Sequence, residues 1–140
     1  MTAHPIQEVR EHEAWELLSG GKVGRLAVSV GDHPDIFPVN YYAGQGRILF
    51  RTAEGTKLIE LVVNANVAFE VDSYDGRTGW SVVAKGSARV LSRGDEIAAA
   101  DEVPLTPWIV SIKYNYVEIW VQEITGRRFQ FGPEPERYPV

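Results

Sequence analysis

The chain has 140 residues, 44% hydrophobic and 24% charged, which suits one globular domain with a real core. A net charge of -5 and a pI near 5.2 argue against nucleic acid as the main partner. The absence of cysteine rules out disulfide and thiolate chemistry. His4, His12 and His33 are too scattered to hold a metal, so no metal site is expected. Residues 1–8 carry neither a basic leader nor an apolar core, and no stretch approaches the roughly 20 apolar residues of a membrane helix. A cytoplasmic protein with no membrane partner is the expectation.

Residues 6–18 predict a helix, with Ala14, Trp15 and Leu18 on its apolar side and Ser19-Gly20-Gly21 stopping it. From Val23 the period changes to two: Leu26, Val28 and Val30 alternate with Arg25, Ala27 and Ser29. Gly31-Asp32-His33-Pro34 is turn chemistry. A second extended run, Ile36–Tyr42, contains Pro38, which belongs on an edge or at a bulge. Ala43–Gly46 turns the chain into a third strand, Arg47–Thr52.

Leu58, Leu61 and Val62 then follow helical spacing, ended by Asn64-Ala65-Asn66. Val67, Phe69 and Val71 mark a fourth strand, and Ser73–Gly79 a polar loop. Trp80–Leu91 is a long fifth strand in which Gly86 marks a bend or bulge. Ser92–Asp95 caps a short helix over 95–101, Val103–Trp108 is a proline-stiffened connection, and a last strand spans Tyr114–Thr125. Gly126–Phe129 leads into an irregular tail. The reading is mainly β: about six antiparallel strands closing a barrel, with peripheral helices, in one domain over 1–140. Residues 1–22 supply its N-terminal helix and linker, and 129–140 its tail.

The chemistry gathers at Arg51-Thr52-Ala53-Glu54-Gly55-Thr56-Lys57, read as strand, turn and helix start. Unpaired N–H groups at a helix start, a forked guanidinium and an ammonium suit an anion such as a cofactor phosphate. The plain alternative is a solvated basic turn. No serine sits in an elbow motif, Glu70 and Asp72 read as a solvated pair, and the phosphate-binding glycine patterns are absent. No catalytic side chain is therefore assigned. An anion site without a protein-borne catalyst is what an enzyme relying on a cofactor would show.

Five segments in order resemble one family: Val23-Gly24-Arg25-Leu26-Ala27; Pro38-Val39-Asn40-Tyr41; Phe50-Arg51-Thr52 with Gly55-Thr56-Lys57; Phe69-Glu70-Val71-Asp72; and Gly79-Trp80-Ser81-Val82 with Gly86. Together, over Val23 to Arg128, they look like the pyridoxamine 5'-phosphate oxidase-like flavoproteins, and among these the short actinobacterial-type members. The resemblance implies a split β-barrel with a Greek-key-like order and a homodimer holding two FMN sites at its interface. It implies that Arg51, Thr52, Thr56 and Lys57 bind the cofactor phosphate. It also implies that Val39 and Asn40 border the flavin ring with main-chain groups, and that Trp80, Ser81 and Val82 approach it. Arg127 and Arg128 resemble a basic pair that reaches the site in relatives, against the plainer reading of a solvated end.

Two departures limit the analogy. The nitroimidazole-resistance branch carries histidine where Arg51 stands. The oxidases that give the family its name end in an Arg and His substrate motif, and this chain has no histidine after His33. The implied activity is an FMN-dependent oxidoreductase passing electrons or hydride from a reduced nicotinamide or flavin to a small organic acceptor. The alternatives are a deazaflavin (F420) or haem protein of the same fold, or a non-catalytic flavin-binding or sensing module.

Overall fold

A computed structural model describes residues 4–62, 65–105 and 113–133. In chain order the elements are β1 (Ile6–Val9), α1 (Glu11–Ser19), β2 (Val23–Val30), β3 (His33–Gly44), β4 (Arg47–Ala53), α2 (Lys57–Val62), β5 (Asn66–Tyr74), β6 (Thr78–Val90), α3 (Gly94–Asp101) and β7 (Tyr114–Gln130). The sheet order β1-β7-β4-β3-β2-β5-β6, with β6 also pairing β7, closes six antiparallel strands into a ring. This is the split β-barrel that the sequence implies. β2, β3 and β4 form a meander. β5 returns beside β2 after α2, which is the Greek-key step.

The hairpin turns are tighter than expected. Gly31 (φ 53°) with Asp32 (φ 65°), and Gln45 (φ 54°) with Gly46 (φ 78°), make two-residue turns whose positive angles match the twist of the flanking strands. His33, Pro34, Ala43 and Gly44 therefore belong to β3 rather than to turns. Two further corrections fall at the ends. Ile6–Val9 is a strand and not the start of the helix, because its backbone pairs with Phe129–Gly126 of β7. Accordingly β7 runs through Gly126-Arg127-Arg128-Phe129 to Gln130, residues read from sequence as a lead into the tail. The helix ending at Ser19 does bury Ala14 and Leu18, and α3 occupies the expected span. Asn64, the connection from Thr106 to Trp108 and the tail from Glu134 lie outside the described residues.

The core lies inside the ring, where alternate residues of every barrel strand meet. Leu26, Ile48, Phe50, Phe69, Val82 and Ile119 are fully buried there, and Leu58 and Val62 of α2 join the same core. Gly24 leaves room for Phe69, since a Cβ at that position would stand 2.3 Å from the ring edge. Phe69 in turn meets Tyr41 edge-on, with ring centroids 4.9 Å apart.

Tyr41 is itself buried, and its hydroxyl donates to the Leu18 carbonyl at the end of α1. Burial pushes its phenol up to about 12. The neutral form is favoured in the fold, so its contribution is complete below an unfolded value of about 10 and is lost as pH rises through about 12. Tyr41→Phe should cost about 1–2 kcal/mol at neutral pH, because the Leu18 carbonyl loses its donor. It should also flatten the alkaline loss of stability, and urea unfolding between roughly pH 8 and 12 would show both effects.

Candidate functional site

The barrel is split between β3 and β4. These strands pair only over Tyr41–Gly44 against Arg47–Phe50. Beyond that point Arg51–Ala53 of β4 continue against Tyr116–Tyr114 of β7, while the preceding part of β3 follows β2. Pro38 fits this arrangement. The Tyr41 N–H bonds Lys22 of the β2 side, so by alternation Pro38 turns its missing donor away from β2. At the mouth of the seam Gly55 (φ 79°) turns the chain into α2. There the first residue of α2, Lys57, sets its Nζ 3.4 Å from Asp35 Oδ2 on β3.

Thr52 and Thr56 meet at the same turn. The Thr56 hydroxyl donates to the Ala53 carbonyl at 2.9 Å, and the two hydroxyl oxygens lie 2.9 Å apart. Each threonine has one hydrogen to give. Thr56 spends its own on Ala53, so Thr52 must donate to Thr56. Both hydrogens are consumed in bracing the turn, and an incoming phosphate, which only accepts, meets lone pairs.

Arg51 departs from the expected grouping. Alternation sends Thr52 inward, where it is 7% exposed, and Arg51 to the outer face of the sheet. Its guanidinium carbon lies 3.5 Å from the Tyr114 ring centroid and 6.0 Å from that of Tyr116. The Tyr116 hydroxyl donates to Asp101 at 2.6 Å, and burial, with that carboxylate, holds its phenol above the usual range. Arg51 makes no ion pair among the described residues, and its buried Nε has no hydrogen-bond partner. A buried donor left unsatisfied costs about 1–3 kcal/mol; this Nε is itself closed to a ligand, so an anion can be met only by the two terminal nitrogens of the guanidinium.

The remaining predicted residues do not converge on this turn within one chain. Val39 and Val82 are core side chains, leaving only their main chains for a ligand. Asn40 shares a groove of about 510 Å³ with Lys22, Tyr42 and Leu105, and its amide reaches the Lys22 carbonyl at 3.5 Å. Trp80 packs against the core. Ser81 lies on the outer face, opposite Asp72 and Arg127 in register, three strands round the barrel from Asn40, or about 14 Å at 4.8 Å per strand. Arg128 is structural, since its Nε donates to Glu13 of α1 at 2.7 Å.

Sequence reasoning missed Asp35, Tyr114 and Tyr116. The Tyr-x-Tyr spacing was a signal that both rings share a face. Nothing in the sequence linked Asp35 to Lys57. Glu70 and Asp72 are not merely solvated, because Arg25 Nη1 bridges them at 2.7 and 3.0 Å. Partial burial and the neighbouring Asp72 raise the Glu70 carboxyl, against the opposing pull of Arg25. A separate cleft of about 460 Å³ beside α3 contains none of the predicted residues; at its edge Arg47 and Arg89 are both tied to Glu118. Among the described residues no group of His, Asp or Glu is arranged to hold a metal, and no helix is long and apolar enough to cross a membrane.

The family model described as pyridoxamine 5'-phosphate oxidase matches residues 10–128, and the chain belongs to that family. An uncharacterised protein of Mycobacterium tuberculosis is 47% identical over 94 residues, covering 66% of this chain and 86% of its own. The FAD binding protein from Mycobacterium smegmatis superposes with a TM-score of 0.84 at 40% identity, covering 90% of this chain and 100% of that one. A conserved protein of unknown function from Corynebacterium diphtheriae gives 0.78 at 43% identity, covering 90% and 99%.

Proposed function

We propose that the protein binds a flavin nucleotide with its phosphate at the Arg51–Lys57 turn and works as a flavin-dependent oxidoreductase. The observation that carries this reading is Arg51, a half-buried cation stacked on Tyr114 that makes no ion pair among the described residues. Lys57, exposed at the mouth of the seam and opposed by the Asp35 carboxylate, fits the same phosphate. Family membership and the FAD binding relative support a flavin. FMN and FAD share the ring and the phosphate nearest the ribityl chain, so both suit this turn. When bound, the flavin ring supplies the electron or hydride transfer. The chain's own part is to hold the phosphate with Arg51 and Lys57 and to border the ring with the main chain at Val39 and Asn40.

A homodimer completes the reading. The family resemblance implies a site shared between two copies, and Ile36, Trp120 and Tyr42 are apolar side chains exposed at 65%, 51% and 39% that a second copy would cover. F420 fits less well, because its acidic tail needs further cations. Arg25, Arg47 and Lys85 are the available candidates, and each already faces a carboxylate. The substrate motif of the oxidases that name the family is missing, so oxidation of pyridoxamine phosphate is not proposed.

Purified protein is expected to be yellow, or to become so with FMN or FAD, with absorbance near roughly 370 and 450 nm. Anaerobic bleaching by a reduced nicotinamide would separate the oxidoreductase from a flavin-binding or sensing module. A colourless protein that takes up neither nucleotide would overturn the flavin reading.

A further inference from the structure

We propose that Asp35 is a specificity-determining residue which disfavours a terminal phosphate, as in FMN, relative to the diester phosphates of a dinucleotide such as FAD. The inference rests on the reading that Lys57 faces the flavin phosphate. Asp35 lies on β3 and Lys57 at the start of α2, so their ion pair spans the mouth of the seam. The side chains are 37% and 69% exposed. Pairs this exposed contribute little to stability and are readily exchanged for another partner.

A phosphate that contacts the Lys57 ammonium must therefore lie beside the Asp35 carboxylate. The local charge of the pair is zero, so a second negative charge on the phosphate gains nothing from it. A terminal phosphomonoester, with a second pKa of about 6, holds about -2 on one phosphate at and above neutral pH, whereas a diester-linked pyrophosphate spreads the same total over two, with about -1 beside Lys57 and the other charge one phosphate farther away. Removing the carboxylate leaves Lys57 uncompensated, and the more highly charged phosphate gains more. At separations of roughly 6 Å near a protein surface, placing one charge a phosphate farther away amounts to about a two- to fivefold change in affinity. Arg51 adds a positive field, but it is the same with and without Asp35 and cancels in the comparison.

Dissociation constants for FMN, FAD and riboflavin, measured by quenching of flavin fluorescence on the full chain, test this. Asp35→Asn should improve the FMN-to-FAD affinity ratio about two- to fivefold and leave riboflavin unchanged, with a circular dichroism spectrum matching the wild type. An unchanged ratio in Asp35→Asn, alongside a Lys57→Ala that still weakens both nucleotides and spares riboflavin, overturns the role of Asp35 while the phosphate site stands. If Lys57→Ala leaves all three ligands unaffected, the phosphate lies elsewhere and both readings fall together.

Discussion

Gly86→Ala is expected to destabilise the barrel by about 4 kcal/mol or more, a large share of the roughly 5–15 kcal/mol that holds a domain folded. A Cβ at this position would stand 1.8 Å from the Trp120 carbonyl oxygen and 2.7 Å from its carbon. These are backbone atoms of β7, which cannot rotate aside. The register explains the closeness: Lys85 pairs with Glu123 while Gly86 pairs with Val121, so β7 carries one extra residue and bends into β6. Relief would require the two strands to separate where the ring closes. Gly94→Ala is the control, since a Cβ there meets nothing within 4 Å. Urea denaturation of the two variants should differ by most of the predicted amount. Equal midpoints would mean that the β6–β7 bulge is looser than described.

The second large effect is on binding. Arg51→Ala with Lys57→Ala should weaken flavin nucleotide binding by about 3–6 kcal/mol, at about 1.5–3 kcal/mol per charge-assisted contact. Riboflavin binding should be spared. Arg51→Lys should rescue little, because an ammonium cannot reproduce a planar guanidinium lying on the Tyr114 ring. Thr52→Val and Thr56→Val should behave differently. Their hydroxyl hydrogens are spent within the turn, so each substitution should lower stability more than affinity. Titration calorimetry with parallel thermal melts distinguishes the two patterns. A Thr56→Val variant that melts normally but no longer binds would assign the hydroxyl to the phosphate after all.

The barrel was legible because each of its strands buries one face. That produces the alternation of Leu26 with Ala27 and Val28, or of Val67 with Ala68 and Phe69. The short turns were legible through glycine and aspartate. β1 was not: its four residues gain their strand character from Phe129–Gly126, more than a hundred residues away, and local spacing there resembles the start of a helix. The far end of β7 was hidden for a related reason, since Gly126-Arg127-Arg128 breaks the apolar alternation while its backbone still pairs on both sides. At the site, Arg51 and Lys57 stood out as charges beside a turn. The same period-two rule that found β4 also divides Arg51 from Thr52, which adjacency in sequence obscures. Asp35 offered no signal, because what makes it relevant is the path of α2 over the end of the barrel.

β7 carries a consequence for how the molecule is made. It pairs with β1, β4 and β6, so three strands wait for residues 114–130 before their edges are covered. Contacts of such long sequence separation bring the chain together slowly. Until β7 arrives, a growing polypeptide holds a β2–β3–β4 meander and a β5–β6 hairpin with open edges, the condition in which chains pair with one another instead of with themselves. Refolding yield should therefore depend steeply on protein concentration. Variants that weaken the seating of β7, Gly86→Ala foremost, should lose a larger share of their yield to aggregation during synthesis, leaving less folded barrel to purify.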